Sequence, residues 1–530
     1  MEVDMFRFSL LRTIRTNTRA LPPRRNRSSC RPNLETLEDR SVPAGQIITV
    51  GTGMGQVDLP TAISQSNMDA ANTSPADPDI IHFAVGYTPP QLEGAVQNTG
   101  NLKIVGDVAI DDFSSLTNTG TLEVTGNLSI GHTGSIDGDT SDLRNGVSNT
   151  DSATLTVDGA LTMGDDATIE NWGTSSISVG GQLSFGEGGT YYNGGLSLDA
   201  LNSEAAVSLT AGSFVMGYDA TVYNEGASSI SISTGLTLGD GSSVYDNGLT
   251  DSSTASLSVS GSFSIGENAM LTTYGHSQAV VGGNVTLGSN SLLENGVNLD
   301  SLQTDAASFT VHGNLSLGDA SDPQFDNDQI TNTGGSSITV DNNLTIYGQE
   351  DSLVLNGAVG SSGATITVGG QFSMAATGYF QDYGTLTVSG PFDAGTGNPS
   401  QNDLIAGVFR AGAGSSVTTN SAVWEVTSGG TLEIASTSGF LVPAGGTLTV
   451  DVGGTLTVDG GGAITVAGLL TVDGVVDPPS TMTVQGNGVV NVDAGGSLSV
   501  GNLIVTDSAA VSIVGEATLI SLVASGSATV

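Results

Sequence analysis

The sequence predicts an all-β fold, an elongated parallel β-helix or β-solenoid with a short amphipathic helix as its N-terminal cap. Three observations lead there. A two-strand unit recurs through most of the chain, as "ATLTVDGALTMG" (Ala153 to Gly164) and again as "SSISVGGQLSFG", "ASLSVSGSFSIG", "ASFTVHGNLSLG" and "ATITVGGQFSM". Within each unit apolar and polar residues alternate with period two, as in a strand with one buried side. Turn residues punctuate the strands, with Gly alone filling 75 of 530 positions. A disordered chain of similar Gly, Ser, Thr and Asn content would have no reason to keep the alternation.

Residues 1–44 read as a basic leader, separate from the rest. Nine of the chain's 12 Lys and Arg lie in it, and only Lys103, Arg144 and Arg410 follow. The single cysteine, Cys30, is also here, so no disulfide staples the body. From Gly45 onward 48 acidic residues face three basic ones, a formal charge of about −45 that repels nucleic acid and anionic membranes. No run of 18 apolar residues offers a membrane-spanning helix. "MFRFSLL" near the start is short and broken by Arg7, a poor signal-peptide core. The Arg-rich start followed by "LETLEDRSVPA" (Leu34 to Ala44) resembles the amino-terminal segment of many large, predicted extracellular proteins of planctomycete bacteria. The resemblance covers about 12 residues and implies a secreted or cell-surface protein whose leader is removed near Ala44.

Residues 45–100 read as the cap of the solenoid. Asp58 can cap a helix, Pro60 fits its first turn, and Leu59, Ala62 and Ile63 give it an apolar face, with an end expected near Asn72. "DIIHFAV" then reads as a strand. This stretch resembles the entry cap of secreted parallel β-helix proteins at Leu59, Ala62, Ile63, Asn67, Asp79, Ile81 and Phe83, and departs from it at Pro60 and Ser66.

Residues 101–395 carry the main repeat, in coils of about 22 residues that often hold 5 to 11 more. The central turn residue falls at 126, 159, 181, 212, 234, 261, 283, 313, 342, 370 and 390, with Thr234 and Asn342 in place of Gly. The extra residues follow Asn-Gly turns at Asn145, Asn193, Asn247 and Asn295, which predicts insertions on one edge. A strand pair this short cannot bury its apolar side alone, so coils must stack. Stacking predicts one inner row through Leu122, Leu155, Ile177, Val207 and Ile230, and a second through Val124, Val157, Val179, Leu209 and Ile232. Residues 396–427 read as an irregular joint, and 428–530 as tighter Gly- and Thr-rich coils, for 18 to 20 coils in all. The last stretch, "ATLISLVASGSATV", is strand-like without an evident cap. It implies a partner such as end-to-end self-association, a covering loop, or a chain that has lost its natural end.

For function, the pattern favours a non-enzymatic structural or adhesive solenoid at a bacterial surface or released from it, touching a surface partner or polysaccharide. The long repeats resemble autotransporter-type passenger regions, although no membrane-barrel sequence follows. The rival is a carbohydrate-active β-helix enzyme or a carbohydrate-binding surface protein. A lyase needs a basic side chain, and the three available are far apart in sequence; hydrolysis would need a carboxylate pair. The acid-rich stretches are Asp137, Asp139 and Asp142, and Asp319, Asp322, Asp326 and Asp328. They are the weak candidates for calcium or for catalysis, while as turn residues they need no ligand. No other cofactor is expected, and no catalytic residue is assigned. His82, His132, His276 and His312 lack metal-ligand spacing. Trp172, Tyr191, Tyr192, Tyr223, Tyr245 and Tyr274 recur beside the Asn-Gly turns and predict an aromatic strip, read first as structural cover and second as a sugar-stacking surface. Thr447, Thr449, Thr455 and Thr457 would make a flat Thr surface, though Thr is the common outward strand residue.

Overall fold

A computed structural model describes residues 45–530 apart from segments between its elements, the longest being 70–77, 132–140, 195–205, 297–305, 319–327 and 394–402. The leader, residues 1–44, lies outside the described residues, and Gly45–Val530 forms one continuous unit. It is a parallel β-solenoid in which most coils contribute three short strands to three faces, the first two sometimes running on as one strand, as in Ser176–Phe185. In one coil these are Thr154–Val157, Leu161–Met163 and Thr168–Asn171. Every strand pairs in parallel with its counterpart one coil away, for example Leu155 with Leu122 below and Ile177 above. The first face runs from Ile47–Val50 to Glu516–Ala524, and at about 4.8 Å per strand it is roughly 90 Å long.

The third face was not legible as a strand. Thr168–Asn171 turns only two residues inward, Ile169 and Asn171, and one of them is polar. Its apolar alternation is therefore too short to register, and the segment reads as part of the turn.

The core is a column of apolar side chains. Leu155, Val157, Leu161, Met163 and Ile169 of one coil are all 0% exposed, and the same holds for most of their counterparts. The two predicted rows exist, with one correction. Ile177 pairs with Leu209, and Val179 with Ala211, so Leu209 belongs to the first row, Ala211 to the second, and Val207 to neither. The corner of that coil is one residue shorter than the one below: Val179 to Gln182 faces Ala211 to Ser213. Spacing counted from Gly212 therefore misplaces the strand.

The cap is a helix, Leu59–Met68, whose N-cap Asp58 accepts a hydrogen bond from the Thr61 N–H (2.8 Å). Leu59, Ala62, Ile63 and Ser66 are buried. Asn67 ties the helix to the third face: its amide donates to the Gln97 carbonyl (2.6 Å) and its oxygen accepts from the Thr99 N–H (2.9 Å). The helix stops four residues short of Asn72, because "DAAN" offers no further large apolar residue to bury.

Insertions fall on two edges, not one. Segments 195–205 and 297–305 lie in the chain between a third-face and a first-face strand, whereas 132–140, 319–327 and 394–402 lie between second and third faces. At that second corner, shorter coils turn through left-handed residues, Asp166 (φ 51°), Asp219 (φ 53°), Asn268 (φ 54°) and Asn290 (φ 56°). Asp and Asn tolerate this conformation because their short side chains bond the local backbone. Through 396–427 the columns continue, with strands Asp403–Ile405, Val408–Ala411 and Val423–Val426 in parallel register with their neighbours.

Candidate functional site

Of the two acid-rich stretches, only Asp142 and Asp328 are among the described residues. Asp137, Asp139, Asp319, Asp322 and Asp326 lie outside the described residues. The third-face strands that follow the two stretches in the chain, Asp142–Asn145 and Gln329–Asn332, stand seven rungs apart, roughly 34 Å at the strand spacing. Asp142, on the outside of the third face, lies 3.7 Å from the Arg144 guanidinium. Asp328 is buried and accepts from the Ser291 N–H (3.2 Å), a structural role. Among the described residues no group of three or more His, Cys, Asp or Glu is placed to hold a metal ion.

The three cations of the body are each matched with an acid on the adjacent coil. Lys103 pairs with Glu123, Arg144 with Glu170 (3.2 Å) and Arg410 with Glu433 (2.8 Å). Cross-coil pairing puts opposite charges side by side where the ladder would otherwise oppose like charges. His312 Nδ1 lies 2.7 Å from Asp341, and His132 is outside the described residues. Thr447 and Thr449 belong to the third face and Thr455 and Thr457 to the first, so they make no common Thr surface. Glu425 and Asp451 share a hydrogen bond; burial, that bond and the charges of Glu425 and Asp473 hold the Asp451 carboxyl up. Acids in such contact are closer than the roughly 5–10 Å that flanks a scissile sugar bond.

What sequence reasoning missed is a ladder of buried amides. The last inward residue of the third face is Asn98, Asn118, Asn145, Asn171, Asn193 and Asn224 in six successive coils, each about 0–1% exposed. Each side-chain amide donates to the oxygen of the next, at 2.8, 2.8, 2.9, 3.0 and 2.8 Å, and Asn224 donates to Asp246 at 2.6 Å. The second N–H goes to a first-face carbonyl further up, as from Asn171 to Ser208 (3.1 Å). The ladder restarts at Thr273, passes through Asn295, Asn332 and Asn356, and ends on Asp382 (2.8 Å). All donors point the same way, so each run ends on a group that need only accept. Burial pushes the carboxyls of Asp246 and Asp382 up to about 7 against the pull of the amide donors. The signal was present: the Asn of each quoted Asn-Gly turn, Asn247 excepted, is a ladder residue.

The aromatic strip resolves into parts. Tyr191 points inward and is fully buried among Phe185 and Phe214. Tyr192, Tyr223 and Tyr245 stand in register on the outside of the third face, their rings nearly parallel (4° and 9°) at 5.0 and 5.1 Å. Glu170 is on the rung below Tyr192, and Thr272 and then Glu294 follow above Tyr245. Tyr274 donates to Glu294 (3.2 Å); burial and the Glu294 charge push its phenol up to about 12. Trp172 sits beside the strip, its indole N–H donating to Glu170 (3.3 Å). A second aromatic group, Phe372, Phe380, Phe392, Phe409, Trp424 and Phe440, fills the core further along. No protein-family model and no curated protein matches the chain.

Proposed function

We propose that the chain is a non-enzymatic structural and adhesive rod, held at or released from a bacterial cell surface. The observation that carries this reading is the repeated cross-coil register of the body, in which buried amides and apolar columns line up from coil to coil over most of its length. Polar ladders that fix one register suit a rigid spacer. The matched cations support the reading further, since a lyase base would come from the same three side chains. The leader's resemblance and the strongly acidic body support placement outside the cell.

The test is direct. Intact producing cells are treated with protease and probed for the body, and cells lacking the protein are scored for attachment. Protease sensitivity on intact cells with loss of attachment is expected. An inaccessible, internal protein would overturn the reading, and so would release of reducing ends from neutral or acidic polysaccharides by the purified chain.

A further inference from the structure

One surface of the body, around Trp172, carries chemistry that the rod does not need. Trp172 follows the third-face strand Thr168–Asn171, and its N–H donates to the Asn145 carbonyl (2.9 Å). The residues in the same relation one rung below and one rung above are Gly146 and Gly194. At these two positions, therefore, the adjacent rungs place no side chain against the indole. The ring is nonetheless oriented: its N–H meets the same Glu170 oxygen that lies 3.2 Å from the Arg144 Nε. Beside it rises the Tyr192, Tyr223 and Tyr245 stack. Glu225 follows Asn224 on the rung above Gly194, with its carboxyl held up by burial; the phenols of Tyr192 and Tyr223 are raised first by burial, with Glu225 adding to it.

We infer that Trp172, Glu170, Tyr192 and Glu225 form a binding subsite for a neutral polysaccharide, with the tyrosine stack continuing it along the third face. The inference rests on the adhesive reading and names its ligand class. A sugar ring has an apolar C–H face that stacks on an aromatic face, and a rim of hydroxyls that donate to carboxylates. The tyrosine faces are largely given to each other in stacking, so they offer edges and hydroxyls, and the partly exposed indole supplies the stacking face. The ligand is neutral because Arg144 is committed to Glu170 and Asp142, while Lys103 and Arg410 belong to the first face. A uronate or sulfate ester would meet the carboxyls of Glu170 and Glu225 and a single guanidinium already compensated by Glu170 and Asp142.

The two tryptophans make the test specific, because Trp424 is fully buried and Trp172 is half-buried. Purified protein is titrated with a soluble neutral β-glucan, a neutral galactomannan and, as the anionic probe, polygalacturonate, while tryptophan emission and iodide quenching are followed. Affinity electrophoresis through the same polymers runs in parallel. A neutral polymer should shift the emission, shield it from iodide and retard the protein; polygalacturonate should do neither. W172A should weaken retardation at least fivefold, and Y223A less, with far-UV circular dichroism unchanged. Retardation of W172A equal to wild type, equal binding of polygalacturonate, or no retardation by either neutral polymer would overturn the subsite. Attachment of W172A-producing cells separates the two readings. Full attachment keeps the adhesive rod and removes the subsite, whereas an internal protein that still binds glucan does the reverse.

Discussion

Replacing Asp246 with Asn should stabilise the solenoid, and only above the acid range. Native Asp246 ends a run of six donors: its Oδ1 accepts from Asn224 at 2.6 Å, while its buried Oδ2 has no partner. Asn would keep the acceptor and aim N–H groups at the next rung, where Thr273 stands in register and its hydroxyl oxygen can accept. Burial holds the native carboxyl at about 7, against 3.8 ordinarily. A raised folded value means that the carboxyl favours the fold fully below about pH 4 and loses that advantage as pH rises to about 7. The slope is about 1.4 kcal/mol per pH unit, which integrates to a ceiling of about 4 kcal/mol. D246N has no proton to lose, so its gain should be near zero at pH 4 and approach that ceiling at pH 8. Urea unfolding followed by circular dichroism at the two pH values measures it, and hydrogen exchange at the third-face strands near Asp246 localises it, because repeat arrays open locally. An equal gain at both pH values, or a loss at pH 8, would refute the role of the buried carboxyl.

Three further outcomes follow from the same geometry. Asn171→Ala removes the acceptor for Asn145 and the donor to Asn193 and Ser208, and should destabilise by about 2–5 kcal/mol in urea melts; an effect within about 0.5 kcal/mol would mean the ladder is dispensable. Phe392→Ala opens a cavity against Phe372 (4.8 Å), Phe409 (4.8 Å) and Trp424 (5.5 Å) and should cost about 3–5 kcal/mol, with a red shift in tryptophan emission. Asn-Gly pairs deamidate when the Gly nitrogen attacks the Asn side chain and expels ammonia. In the fold the nitrogens of Gly146, Gly296 and Gly357 donate to the carbonyls of Asn118, Thr273 and Asn332 at 2.7–2.8 Å. Mass spectrometry of aged native protein should find Asn145, Asn295 and Asn356 intact, and aged protein in urea should show them converted; equal conversion in both would contradict the locked ladder.

Much of the fold was legible because a solenoid writes its contacts into its repeat. Leu155 and Val157 alternate with Thr because one side of their strand is wet, and they recur because the neighbour above is another copy. The legibility failed where the physical signal was not hydrophobic. Asn171 is as buried as Leu155, but a polar residue before a turn looks the same in sequence whether it caps a solvated loop or joins an amide ladder. Gly212 misled the register because a corner lost one residue, which alternation within a single strand cannot reveal.

Sequence by itself determined the parallel stacked coils, the helical cap from Asp58, the acidic character of the body and the place of the aromatic residues near the Asn-Gly turns. Only the tertiary structure decided that each coil has three sides and that Asn98 to Asp382 form two directional ladders. It also decided that Tyr191 faces inward while Tyr192 stacks outward, and that each cation meets an acid of the adjacent coil. The division has one cause. Alternation and turn chemistry act between residues close in the chain, whereas a ladder exists only between residues 20 to 37 positions apart that the coil length happens to bring into register.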